Sequence, residues 1–296
     1  MKLEYKKTLN NSINRKVKLI DDKLQFYKNI PLFNWIEISP IDACNRKCVF
    51  CPKSDPKLAP DTFKVMDNKT IEKLADELNE INYTGTIVFA GYGEPMLDKN
   101  IYNLVKYAKK KNPNSRVEII TNGDVLNKAR LKKIFVSGLD RMQISLYDGD
   151  DQYKKFKELG ESLKLNSFQY VLRKRYLPEE QDFGITMSNR GGMLKNAEHS
   201  ILPASKVLKE RCFYPSYKFF LDYNGDVLMC SHDWGKKNIL GNLNKESFKD
   251  IWLSKKAINA RRKLNSANRN LSPCNVCDVK GTLIGESHSK AWNKII

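Results

Sequence analysis

Apolar and polar side chains alternate over residues 33–40, FNWIEISP, until Pro40 interrupts them. A period of two is that of a half-buried strand. In NKTIEKLADELNEI (68–81) the period changes, placing Ile71, Leu74, Leu78 and Ile81 on one helical face. The same alternation of elements continues along the chain. TGTIVFAGYGEP (84–95) predicts a buried strand ending in a glycine-rich turn, and NIYNLVKYAKKK (100–111) a helix. RVEIITNGD (116–124) predicts a strand, VLNKARLKKIFVSG (125–138) a helix stopped by glycine, and DRMQISLYDG (140–149) a strand. DQYKKFKELGESLK (151–164) reads as a helix, FQYVLRKRY (168–176) as a fifth strand and FGITMS (183–188) as a sixth.

Strands and helices at this rhythm imply an α/β fold with a parallel sheet of right-handed βαβ units. Cys44, Gly93, Asn122 and Ser145 fall at the C-terminal strand ends, the edge that carries the chemistry in such sheets. Residues 1–32 read as a polar, partly helical leader and 33–205 as the sheet domain. The rhythm fails near residue 200, PASK (203–206) reads as a linker, and a smaller module is expected over 206–296.

Composition narrows the class. The chain has 296 residues, 41% apolar and 10% aromatic, which is the make-up of a folded protein. No apolar run reaches the roughly 20 residues that span a bilayer. The charged N-terminus has no apolar signal core, so the expected compartment is the cytoplasm. The formal charge of +18 comes from 52 basic and 34 acidic residues. It allows a nucleic acid, a phosphorylated sugar or an acidic peptide as partner. Lys, however, outnumbers Arg 40 to 12 and is spread along the chain without a basic tract, as compositional drift would leave it.

The seven cysteines form two sets: Cys44, Cys48 and Cys51, then Cys212, Cys230, Cys274 and Cys277. In a reducing compartment such clustering indicates metal sooner than disulfides. The first set, CNRKCVFC, spaces three thiols within eight residues. Zinc would need a fourth ligand; no His or further Cys is near in sequence, and Asp42 and Asp55 suit a thiolate-rich site poorly. A [4Fe–4S] cube held by three thiolates keeps one iron open for an outside ligand.

These residues resemble the signature of the radical S-adenosylmethionine (SAM) superfamily, C-x3-C-x-Φ-C, with Phe50 as the aromatic Φ. Three further landmarks follow in the family's order: GYGEP (91–95) for its GGEP-type motif, TNG (121–123), and QISLYDG (143–149). The resemblance implies a partial (β/α)6 TIM barrel whose open iron binds SAM. It also implies reductive cleavage to methionine and a 5′-deoxyadenosyl radical, which takes a hydrogen atom from a substrate. Carried over by residue, Gly93 and Glu94 would meet the SAM amino group, largely through backbone, and Phe50 the adenine. Asn122 and Ser145 would face the ribose or carboxylate, and Arg173 or Arg175 would pair with the carboxylate. FGITMSNRGG matches the family's sixth-strand glycine pattern only loosely, through Gly184.

The second set resembles the SPASM/twitch extension of this family. Its landmarks here are a hairpin from Cys212 to Cys230 turned at DYNGD, LGNL (240–243), a helix containing SFKDIW, and a closing CNVC (274–277). A helix is expected over 244–264. Four cysteines would fully ligate one auxiliary [4Fe–4S] cluster, suited to electron relay; a zinc ribbon is the alternative. Three plus four ligands use all seven cysteines, so no thiol remains to return a hydrogen atom, and a net two-electron oxidation is favoured over epimerisation. Asp148, Asp150, His232 and Asp233 qualify by type as the base.

Peptide-modifying members carry an N-terminal winged-helix module, for which the 43 residues before Cys44 are too few. The expected substrate is therefore a small molecule: an aminocyclitol, sugar or nucleotide sugar. A flavodoxin or ferredoxin would be the reductant, with no membrane or nucleic-acid partner. The alternatives are a peptide-modifying maturase, a sugar epimerase and, outside enzymes, a zinc protein that binds nucleic acid.

Overall fold

The computed structural model describes residues 14–176, 187–196, 201 and 204–296. Five parallel strands follow the predicted order: β1 (Trp35–Ile38), β2 (Thr86–Phe89), β3 (Arg116–Thr121), β4 (Arg141–Leu146) and β5 (Tyr170–Lys174). Between them lie α1 (Asn68–Glu80), α2 (Ile101–Lys111), α3 (Lys128–Val136) and α4 (Asp150–Glu161). The helix starts are encoded locally. Asp67 caps α1 by accepting from the Lys69 N–H at 2.9 Å, and Asn127 caps α3 by accepting from the Arg130 N–H at 2.9 Å. Gly138, with φ +102°, lets the chain turn after α3.

The second half contributes β6 (Lys218–Leu221), β7 (Asp226–Leu228) and β8 (Ile239–Asn242), with a one-turn helix α5 (Tyr214–Tyr217) before them. The strand order is β8-β7-β6-β1-β2-β3-β4-β5. β6 pairs in parallel with β1, Trp35 opposite Lys218 and Glu37 opposite Phe220. The sheet thus crosses the linker expected at 203–206, and the hairpin's first strand lies against the first strand of the parallel sheet. Six parallel strands form a partial barrel, with β7 and β8 added antiparallel at one edge. The sixth strand expected at 183–188 lies outside the described residues, Gly184 included, except for Met187 and Ser188, which are in an irregular segment.

The expected helix at 244–264 is two: α6 (Phe248–Trp252) and α7 (Lys255–Asn265). Ser254 separates them because its hydroxyl accepts from the Ala257 N–H at 3.2 Å and starts a new helix. α8 (Glu286–Trp292) follows the closing cysteine pair.

Alternation along β1 sorts its side chains. Ile36 and Ile38 join Leu74, Leu104 and Ile134 in the core between sheet and helices, whereas Trp35 and Glu37 face the barrel lumen. Residues 14–20 are helical and cover that lumen. Ile20 packs with Trp35, Val88, Phe213 and Tyr217, Arg15 pairs with Glu118, and Asp21 accepts from the Gly285 N–H at 2.8 Å.

Candidate functional site

The three-cysteine loop leaves β1 and is fixed from two sides. Behind it, the Glu94 N–H donates to the Ala43 carbonyl at 2.9 Å. A Cβ on Gly93 would stand 2.2 Å from the Ile41 carbonyl oxygen, so only glycine lets the GEP turn approach this loop. In front, Arg46 donates to Asp124 from Nε and Nη2 at 2.7 and 2.6 Å and to Asp148 from Nη1 at 2.8 Å. Its guanidinium stands 5.0 Å from the Tyr147 ring centroid. Arg46 therefore pins the loop to the ends of β3 and β4. Sequence reading missed it, although a bidentate-capable cation between two cysteines was the available signal.

Glu94 is 4% exposed, and its carboxylate accepts from the Met96 N–H at 3.0 Å, Thr121 Oγ1 at 2.5 Å and the Asn122 N–H at 2.8 Å. Burial raises its pKa against these three donors. The Glu94 carbonyl accepts from the Leu97 N–H at 3.0 Å. The residue thus ties the turn to β3 and sets the position of Asn122, whose amide donates to Asn45 Oδ1 at 2.8 Å and lies 3.9 Å from the Cys44 sulfur. Phe50 stacks on Tyr147 at 6.0 Å between centroids. Ser145 is buried on β4, opposite Arg173 on β5.

Cys44, Cys48, Cys51, Phe50, Gly93, Glu94, Asn122 and Ser145 line one cavity of about 360 Å³. Arg173 is half-buried and is not among the cavity's described lining residues; Arg175 lines an adjoining hollow with Phe50 and Tyr147. Sequence reading also missed Lys16, Glu37, Tyr214, Lys218, Ser231 and Arg190, which line the cavity from the leader, β1, the second module and the turn at 189–192. No local motif marks them, because the fold alone brings them together.

The four candidate bases separate. Asp148 pairs with Arg46, which lowers its pKa. Asp150 lies at the start of α4 with Tyr176 and Lys174, and hydrogen bonds to them lower its pKa. Asp233 accepts from the Lys237 and Asn238 N–H groups at 2.9 and 2.7 Å. Only His232 of the four lines the cavity, and burial, with Arg190, Lys218 and Lys16 nearby, holds its pKa well below the usual range.

Both cysteine sets suit iron–sulfur clusters. All seven thiols are free, and Cys212, Cys230, Cys274 and Cys277 ring one enclosed pocket. Burial raises the thiol pKa of Cys212 to about 11 and of Cys274 to about 12, so these sulfurs become thiolates only with a cationic partner. Four cysteines on the wall of one pocket are the donor set that a fully ligated [4Fe–4S] cube takes. Cys44, Cys230 and Cys277 each accept from the backbone N–H two residues on, at 3.5, 3.4 and 3.4 Å. Such N–H···S bonds favour thiolate ligands.

Fold and site define an enzyme that uses an iron–sulfur cluster and SAM. The model of the radical SAM superfamily matches residues 38–165, and that of the SPASM iron–sulfur cluster-binding domain matches 212–278. The chain is 30% identical over 248 residues to the S-adenosyl-L-methionine-dependent 2-deoxy-scyllo-inosamine dehydrogenase of Niallia circulans, covering 83% of this chain and 93% of that one. It belongs to the radical SAM superfamily and is an oxidoreductase of that family. The crystal structure of BtrN in complex with AdoMet and 2-DOIA aligns with a TM-score of 0.71 and 27% identity, covering 88% of this chain and 98% of BtrN. A GTP 3′,8-cyclase of Lactiplantibacillus plantarum is 32% identical over 136 residues, covering 44% of this chain and 38% of that protein. Native anSMEcpe with bound AdoMet shares the fold at TM-score 0.54 and 14% identity. No described helix is long and apolar enough to cross a membrane.

Proposed function

We propose that this enzyme oxidises a secondary alcohol of a small polyhydroxylated ring, an aminocyclitol or sugar, to the ketone. The observation that carries the reading is the cavity with the Cys44–Cys51 loop at one end and Tyr214, Lys218, Ser231 and His232 of the second module at the other. A substrate there stands between the two cysteine sets. The relative named as an inosamine dehydrogenase, matched along most of both chains, supports the same chemistry.

In this reading Cys44, Cys48 and Cys51 hold the SAM-binding cluster, and Cys212, Cys230, Cys274 and Cys277 hold the auxiliary one. Bound there, the first supplies the electron that cleaves SAM, and the second an acceptor for the electron released in oxidation. Bound SAM would supply the 5′-deoxyadenosyl radical that takes the hydrogen atom of the carbinol carbon, and the hydroxyl proton would pass to a base in the cavity. The substrate thus loses two electrons and two protons overall. The protein's own contribution is to place the carbinol against the radical and exclude water. Arg46 and Glu94 set the loop and strand ends, and Gly93, Asn122, Ser145 and Phe50 form the SAM surface. The core occupies 33–205, preceded by the leader 1–32, whose described residues 14–20 lie over the lumen, and followed by the iron–sulfur module at 206–296. A flavodoxin or ferredoxin would deliver electrons in a reducing cytoplasm.

The test is anaerobic reconstitution followed by incubation with SAM, a reductant and a polyol panel. One 5′-deoxyadenosine per ketone is expected. Deuterium incorporation from solvent at carbon without net oxidation overturns the reading in favour of an epimerase.

A further inference from the structure

The cavity wall between the three-cysteine loop and the second module carries an unbalanced charge. Among the described residues Glu37, on β1, is the one lining carboxylate not already committed to backbone donors, and it accepts from Lys218 Nζ at 2.6 Å. The Lys218 ammonium also reaches Ser231 Oγ at 2.9 Å, and its side chain is 7% exposed. Lys16 lines the same cavity from the leader helix, its ammonium 4.9 Å from the Trp35 ring centroid, and the Glu37 carboxylate acts on it electrostatically. Arg190 adds a third cation, donating from Nε to the Phe50 carbonyl at 3.1 Å. The remaining cations of the wall are spoken for: Arg46 by Asp124 and Asp148, Lys53 by Asp61 at 2.9 Å. Nδ1 of His232, beside these groups, has no hydrogen-bond partner among the described residues.

Partly desolvated cations that share one carboxylate are costly unless a ligand completes the set. An ammonium group entering here would meet Lys16, Lys218 and Arg190, with Glu37 already paired. An oxyanion would meet complementary charge and charge-assisted donors. The geometry points to a substrate that carries an acidic group, a carboxylate or a phosphate monoester, seated against Lys16 and Lys218 with Arg190 alongside. This rests on the proposed polyol oxidation in the same cavity and narrows its substrate to acidic polyols. Burial and the neighbouring Lys218, Arg173 and Arg15 lower the Lys16 pKa to about 8 against the pull of Glu37, a crowding that an arriving anion would relieve.

Equilibrium binding to the SAM-loaded, reconstituted protein tests this without turnover. The probes are matched sets on several ring scaffolds, such as glucose, glucuronate, glucose 6-phosphate and glucosamine. An acidic member should bind at least tenfold more tightly than its neutral parent, and the amine most weakly. The carboxylate and phosphate arms tell which acid is taken. Lys16→Met, which leaves the Glu37–Lys218 pair intact, and Lys218→Met should each reduce the acid preference at least fivefold. Failure of every acid to bind overturns the inference, as does binding of the amine equal to the acids or an acid preference unchanged in Lys16→Met. Acid binding without oxidation of any panel member overturns the reaction reading alone; preferential oxidation of an amino polyol overturns the charge inference alone.

Discussion

Arg190 donates from Nε to the carbonyl of Phe50 at 3.1 Å, while the residue before it, Asn189, donates from Nδ2 to the carbonyl of Val276 at 2.7 Å. One turn therefore grips the loops of both cysteine sets. It needs unusual backbone to do so: Arg190, Gly191 and Gly192 have φ of +49°, +65° and +82°. A left-handed run of this kind persists only where the surroundings over-determine it. The turn thus joins the Cys44–Cys51 loop to the Cys274–Cys277 loop.

A Cβ on Gly191 would lie 2.8 Å from the His232 carbonyl oxygen. Gly191→Ala should cost about 1–3 kcal/mol, the usual cost of such strain. It should loosen the second set preferentially, since His232 adjoins the Cys230 strand end. Chemical denaturation and iron analysis check this: lowered stability with iron falling toward about four per chain, the content of a single cube.

The two cysteine sets should fail differently. Cys44→Ala, Cys48→Ala and Cys51→Ala should each abolish SAM cleavage, because three ligands leave none to spare. Cys274→Ala should keep some uncoupled 5′-deoxyadenosine release and lose ketone. Chromatographic measurement of both products, beside an iron count of about eight in the wild type, distinguishes the outcomes. Wild-type SAM cleavage in any of the first three variants contradicts the assignment of that loop.

Most of the barrel was legible from periodicity. Strands and helices from Trp35 to Lys174 lie within a few residues of their predicted spans, because a strand buried on one side and a helix packed on one face each repeat a pattern in sequence. What periodicity could not convey is that Lys218–Leu221 pairs with Trp35–Ile38: pairing across so long a stretch of chain leaves no local trace. The site divides in the same way. Cys44, Cys48 and Cys51 are local in sequence and were legible, whereas Lys16, Glu37 and Lys218 meet only when the leader, β1 and β6 are assembled. Glu94 was legible as part of a motif, but its role was not, since nothing in GEP shows that Thr121 and Asn122 would claim the carboxylate.

Glu94→Gln should behave as a severe substitution despite its matched shape. Both carboxylate oxygens accept from N–H or O–H donors, and an amide NH2 would set a donor against either Asn122 N–H or the Met96 N–H and Thr121 hydroxyl. An unsatisfied buried donor costs about 1–3 kcal/mol. Thermal unfolding should show this loss, and SAM affinity should fall with it because Asn122 is displaced. Wild-type stability in this variant would exclude the architectural role.

Removal of Arg46 should act on the loop more than on the fold. Its ion pairs are part-exposed, and such pairs contribute about 0–1 kcal/mol each. Arg46→Ala should therefore unfold nearly as the wild type does, yet lose iron from the first site and bind SAM at least tenfold more weakly. Asp148→Asn leaves the bidentate Asp124 contact in place and should retain ketone formation within a few fold. If Asp148 were the base, that variant would instead release 5′-deoxyadenosine with little ketone.

Lys16 gives a pH dependence whose sign follows from its environment. Its folded pKa, about 8, lies below the usual 10.5, because burial and Lys218 oppose the ammonium. Below pH 8 the lysine is protonated in both folded and unfolded states, and the destabilisation is present in full. Between about 8 and 10.5 the unfolded chain binds more protons, so stability rises with pH across that window. Because the side chain is only partly buried, solvent screening reduces the effect to on the order of 1 kcal/mol. Lys16→Met should accordingly be more stable than the wild type at pH 7, with the advantage shrinking toward pH 10, as measured by denaturant unfolding across that range. A stability gain that accompanies weaker binding of acidic polyols would identify Lys16 as a residue kept for its ligand at a cost to the fold.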